Sequence, residues 1–191
     1  MSSEIYKIKP EAKLMNKIMV VYESQYGATK QYAELIAKQL SADIYNADNV
    51  SEQQLKLYDT IIWGGGIYAG RINGINKLER ILKNFAGKQI IIFSVGVTPI
   101  DATERLQKVR DNSLAPAFQE GISFFHFNCG VNFLKLSLIH RIMLATERML
   151  LLLKPKKSLT ESRIKYLQTY GENNQIIDES AVIPLVHAAT Q

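Results

Sequence analysis

Between Lys17 and Thr29 the chain reads KIMVVYESQYGAT, and no other stretch restricts the fold as tightly. Ile18, Met19, Val20 and Val21 form an unbroken apolar run suited to a buried strand. The polar turn Glu23-Ser24-Gln25-Tyr26-Gly27-Ala28-Thr29 follows. From Lys30 to Leu40, Tyr32, Ala33, Leu35, Ile36, Ala37 and Leu40 then recur at helical spacing. A strand that ends in such a turn and restarts as a helix aims several backbone N–H groups, with the positive end of the helix dipole, at one point. That point suits a phosphate. Gly27 permits a positive φ and close approach of a ligand. Ser24 and Thr29 add hydroxyls, and Thr29 is placed to act as the helix N-cap. Amides and hydroxyls can hold a phosphate dianion without Lys or Arg. By itself the stretch equally suits a strand, a turn and a cap that bind nothing.

The rest of the chain supplies its companions. A short strand is expected at residues 43–45, and Ser51 with Glu52 opens a brief helical turn. Tyr58 to Gly64 reads as a second buried strand through Thr60, Ile61, Ile62 and Trp63. Gly64 to Arg71 is too rich in glycine for regular structure and reads as a loop. Asn73 to Phe85 keeps helical period through Ile75, Leu78, Ile81 and Leu82, with Gly87 as terminator. Gln89 to Ser94 is an apolar strand, Asp101 to Phe118 an amphipathic helix ended or distorted by Pro116, and Ile122 to Phe127 an aromatic strand. Strands alternating with helices predict a doubly wound α/β fold with a parallel sheet. Ligands of such sheets sit outside the carboxyl ends of the strands. Three turns, 23–29, 64–71 and 94–99, fall at those ends, and their coincidence points to one site.

Composition excludes other classes. With 191 residues, 47% of them apolar and 21% charged, the chain has material for one ordinary soluble domain. We expect residues 1–16, which carry Lys7, Lys9 and Lys13 but no signal-peptide core, to be an extension, and 17–191 to be the domain. The single cysteine, Cys129, excludes an internal disulfide and fits a cytoplasmic protein. No Cys/His cluster has metal spacing, so no metal is expected. A formal charge of +5 shows no stripe of cations among aromatics, which argues against nucleic acid.

With these three turns, the chain over roughly 17–130 resembles the flavodoxin-like FMN-binding domains. Their phosphate loop, (Thr/Ser)-x-Thr-Gly-x-Thr, stands here as Ser24-Gln25-Tyr26-Gly27-Ala28-Thr29. Tyr26 departs from the middle Thr, and Ala28 from a frequent Asn. The resemblance implies a five-stranded sheet of order 2-1-3-4-5 with FMN as cofactor. It implies that Ser24, Gln25, Tyr26, Gly27, Ala28 and Thr29 hold the phosphate. Gly66, Ile67, Tyr68, Ala69 and Gly70 would cover one face of the ring, with Tyr68 stacking. The loop Ser94–Pro99, through Ser94, Val95 and Gly96, would line its edge. The redox chemistry then belongs to the FMN, and no catalytic residue is assigned. Trp63 is expected in the core.

The segment 130–157 departs from an electron-carrying flavodoxin. On a helical wheel, Leu136, Leu138, Ile139, Ile142, Met143, Met149 and Leu150 share one face, while Ser137, His140, Arg141, Glu147 and Arg148 gather opposite. Leu144 and Leu151 interrupt the polar face; Lys135 and Thr146 interrupt the apolar one. Lys154, Lys156 and Lys157 follow. Such a face suits a membrane surface, an apolar substrate, a second subunit in a homodimer, or docking on the chain's own domain. The insertion is similar to that of the menaquinone-dependent protoporphyrinogen dehydrogenases. That resemblance implies a porphyrinogen-like donor, a quinone acceptor and a peripheral place at the inner face of the membrane. The alternative is a flavodoxin-type carrier that docks on partner proteins without turning over a substrate. A helix over 158–170 stopped by Gly171, a short apolar run at 175–177 and a last helix from Asp178 or Glu179 complete the chain. His126 and His187 read as structural, His140 as a minor candidate for touching substrate, and Cys129 as a small buried hydrophobe.

Overall fold

The alternation is realised in a computed structural model, which describes residues 16–82, 87–130, 133–172 and 177–191. The expected extension lies outside these residues apart from Asn16, as do residues 175 and 176 of the last apolar run. The strands are β1 (Ile18–Glu23), β2 (Asp43–Asn46), β3 (Thr60–Tyr68), β4 (Arg71–Ile72), β5 (Gln89–Gly96) and β6 (Ile122–Asn128). The helices are α1 (Ala28–Leu40), α2 (Glu52–Leu55), α3 (Ile75–Leu82), α4 (Thr103–Ser113), α5 (Leu138–Leu152), α6 (Glu161–Gln168) and α7 (Ile183–Ala189). The parallel strands stand in the order β2-β1-β3-β5-β6, which is the expected 2-1-3-4-5 path. A sixth strand, β4, pairs antiparallel with the end of β3 and was not expected.

Alternate residues of each strand face opposite layers. On one side Met19, Val21, Ile61, Trp63, Ile90 and Ile92 pack with Ile75 and Leu78 of α3 and Val109 of α4. On the other, Val20, Ile62, Ile91 and Phe93 pack with Tyr32, Ala33 and Ile36 of α1 and with Leu185 and Ala189 of α7. Trp63 is fully buried, as its place in the strand required.

The structure corrects the reading of Gly64–Arg71 as a loop. Gly64, Gly65 and Gly66 are ladder residues of β3, paired with Phe93, Ser94 and Val95. Glycine is held in this strand by neighbours rather than by a turn. A Cβ on Gly64 would fall on the Phe93 ring, and one on Gly65 would meet the Asn73 carbonyl oxygen at 2.3 Å. Only Ala69 and Gly70, both at positive φ, form a tight turn, and they join β3 to β4. The helix expected from Asn73 starts at Ile75, because Gly74 takes φ 76° and Asn73 donates its N–H to the Gly66 carbonyl at 2.8 Å. Residues 83–86, in its expected second half, lie outside the described residues. The helix expected to run to Phe118 ends at Ser113, and Pro116 opens a separate 3-10 turn.

Candidate functional site

The site begins where β1 gives way to α1. Gly27, at φ 98° and ψ −22°, is the N-cap, and Thr29 is a buried residue of the first turn rather than the cap expected. The left-handed backbone that glycine accepts turns the chain into the helix two residues earlier than a Thr29 cap would. Ser24 Oγ accepts the Gly27 N–H at 3.1 Å. No side chain caps the first turn of α1 and no acidic residue lies in it. Its amides therefore present an uncontested positive end to an anion.

Above this turn opens a cleft of about 740 Å³, its mouth included. Ser24, Tyr26, Ala28 and Thr29 line its floor end; Gly66, Ile67 and Tyr68 come from β3, Val95 and Gly96 from β5, with Val97 beyond. Cys129 and Gly130 follow β6, and Leu136, His140, Met143 and Leu144 come from the insertion. The three turns thus converge as the sequence implied. The other expected site residues stand apart from the lining. Gln25 is exposed, Gly27 shapes the turn, and Ala69 and Gly70 lie at the β3–β4 turn. Ser94 is buried within β5 and turned to β6. Val97 lies in the loop expected at the ring edge, whereas sequence reasoning missed Cys129 and Gly130. It set His140 low, and it read Leu144 as an imperfection; that break in the polar face was the available signal.

Three rings close the middle of the cleft. Tyr68 tilts against His140 with centroids 4.9 Å apart, and Tyr26 meets Tyr68 edge-on at 6.2 Å. The Tyr26 hydroxyl accepts the Ser137 N–H at 3.2 Å and is hydrogen-bonded to His140 Nδ1 at 2.5 Å. Burial first, then the neighbouring Tyr26, pushes the Tyr68 hydroxyl above its ordinary value, so it stays protonated at neutral pH. Burial likewise pushes the Cys129 thiol up to about 12, which leaves it a neutral wall residue. Tyr26, the residue that departs from the flavodoxin motif, is therefore the link between the phosphate-type turn and α5. Tyr26→Phe should cost about 1 kcal/mol, because it strips partners from His140 and from the Ser137 amide. Thermal unfolding measures it, and an unchanged midpoint would show that the link contributes nothing.

The third turn is held by residues of β6. His126 Nδ1 lies 2.8 Å from Ser94 Oγ, and its Nε2 lies 2.8 Å from the Thr98 carbonyl oxygen, which also accepts from Asn128 Nδ2 at 3.0 Å. Since a carbonyl can only accept, Nε2 carries the proton and the Ser94 hydroxyl donates to Nδ1. Burial lowers the His126 pKa from its ordinary 6.5, opposed by the bond to Thr98. The unfolded chain therefore takes up a proton near 6.5 that the folded chain refuses until lower pH. Stability should be full above that value and fall as pH drops from about 7 towards 5. Urea midpoints across this range should show the fall, and His126→Gln should reduce it.

Residues 19–151 match the family described as flavodoxin domain. An uncharacterized protein of Methanocaldococcus jannaschii is 35% identical over 106 residues, which is 54% of this chain and 69% of that one. Among solved structures, the flavodoxin, WrbA-like protein of Agrobacterium tumefaciens is 22% identical over 58% of this chain and 83% of its own, with a TM-score of 0.42. A flavoprotein of Lactobacillus acidophilus, solved in complex with FMN, is 18% identical over 59% and 92%, with a TM-score of 0.39.

Proposed function

Since the chain belongs to the flavodoxin domain family, we propose that it is an FMN-dependent oxidoreductase that takes electrons from an apolar, porphyrinogen-like donor and passes them to a quinone. The residues present fit the cofactor. The uncapped first turn of α1, with the Ser24 and Thr29 hydroxyls, would hold the phosphate. A Cβ on Gly66 would meet the Tyr68 ring at 2.8 Å, so the wall that would face the flavin needs glycine there. When bound, FMN would supply the redox chemistry: each electron pair leaving the donor with its protons turns one quinone into a quinol, so the six electrons of a porphyrinogen need three quinones.

The observation that carries the reading is the wall contributed by the insertion, Leu136 with residues of α5. A carrier that hands electrons to proteins needs an accessible flavin rim. Here Leu136, Met143 and Leu144 extend an apolar wall beside the cleft and His140 sets its ring on Tyr68. These side chains suit an apolar reactant rather than a polar protein surface. Tyr68, held neutral, offers a flat face and a hydroxyl.

The test is anaerobic turnover by FMN-loaded protein supplied with protoporphyrinogen and a soluble menaquinone analogue. Quinone-dependent formation of protoporphyrin is expected. No turnover with FMN still bound would remove this donor and acceptor, and rapid reduction by a flavodoxin reductase in the same sample would favour the carrier.

A further inference from the structure

We propose that the outward face of α5 docks on an anionic lipid surface, laying the helix flat against it. The helix is set on the body with the side that reads as polar turned inward. His140 and Leu144 enter the cleft, Leu151 is buried, and Glu147 bonds Arg105 of α4. The apolar side is left facing solvent: Leu138 is 73% exposed, Ile142 57%, Met149 64% and Leu153 72%. Ala145, Thr146 and Leu152 fill the gaps between them, so roughly half the circumference carries no charge. A continuous apolar strip of this kind marks a surface that something covers.

Charge decides between the occupants. Lys135 and Arg141 stand at the first end of the strip, Arg148 lies on its flank over the Tyr170 ring at 4.6 Å, and Lys154 and Lys157 follow its last turn. From residue 133 to 157 the only acidic residue is Glu147, which is spent on Arg105. A second copy laid on this face would bring the same cations together, whereas anionic headgroups complement them while the leucines enter the acyl boundary. The 15 residues of α5 span about 22 Å. Among the described residues no helix is long and apolar enough to cross a membrane, which agrees with lying on one. Docking does not depend on the redox reading. Its consequence does: the lipid-facing side and the cleft-lining side would belong to one helix, so an apolar reactant in the bilayer would meet the cleft at its own depth.

The experiment is co-sedimentation of the FMN-loaded full chain with vesicles of equal parts phosphatidylglycerol and phosphatidylcholine, against phosphatidylcholine alone. Binding to the anionic vesicles is expected. It should weaken at least about tenfold in Ile142→Glu/Met149→Glu and in Lys154→Glu/Lys157→Glu, while FMN affinity, read by fluorescence, and the circular dichroism spectrum stay as in the parent. Equal binding to both vesicles, or binding unaffected by either variant, would overturn the proposal. So would a dimer in analytical ultracentrifugation that Ile142→Glu/Met149→Glu converts to monomer. Loss of quinone turnover with vesicle binding intact would count against the proposed function and leave the docking standing.

Discussion

Gly64→Ala should destabilise the protein by about 3 kcal/mol, enough to lower its melting temperature by about 10 °C for a chain of this size. The added Cβ would lie 1.9 Å from Phe93 Cζ and 2.4 Å from both Cε atoms. Phe93 cannot step aside cheaply. It is fully buried in β5, and its ring packs at 5.5 Å from that of Phe127, which stacks at 4.8 Å on Tyr32 of α1. A close-packed interior passes such an overlap on as shifted strands and off-rotamer rings. Phe93→Leu removes the atoms in conflict, so the double variant should lose clearly less than the sum of the single losses, a coupling that a double-mutant cycle reads directly. Chemical unfolding of the four proteins is the measurement. A Gly64→Ala protein within about 0.5 kcal/mol of the parent would refute the packing argument.

Gly27→Val should weaken FMN binding by about tenfold to a hundredfold, and by more than Tyr68→Ala does. Space is not the obstacle, since nothing lies within 4 Å of the position a Cβ would take. The backbone is. At φ 98° a β-branched residue is a strained outlier, and relaxing it would swing the amides that open α1 away from their common point. Tyr68→Ala forfeits a ring face worth about 1 kcal/mol, or roughly fivefold in affinity. Asn tolerates the left-handed region better than Val, so Gly27→Asn should fall between Val and the parent. Titrations of FMN fluorescence on all three decide. Should Tyr68→Ala prove the weaker binder than Gly27→Val, the ring and not the amide turn would be the main grip.

The two substitutions lie on opposite sides of what a sequence reveals. The turn at Gly27 was legible because its parts are adjacent: an apolar run, a glycine among hydroxyls and a helical stripe leave few other local geometries. Gly64 was read as the point where strand gives way to loop for the same local reason, that glycine-rich runs seldom form regular structure. Its real cause is Phe93, 29 residues away in sequence and paired with it across the ladder. The turn at 94–99 behaved similarly. Its place at a strand end was evident, while the His126 and Asn128 contacts that fix Thr98 required β6 to be set beside β5.

From the sequence alone came the doubly wound class, the order of elements along the chain, the meeting of three turns at one edge and the two-sided character of residues 136–150. The tertiary structure decided which side of α5 looks inward. Helical period fixes the angles between side chains, but not the rotation of the helix about its own axis. That rotation is set by the Tyr26 hydroxyl holding Ser137 and His140, and by Arg105 holding Glu147. Those contacts draw His140 and Glu147 onto the body, whose groups can satisfy them, and leave Leu138, Ile142, Met149 and Leu153 outside.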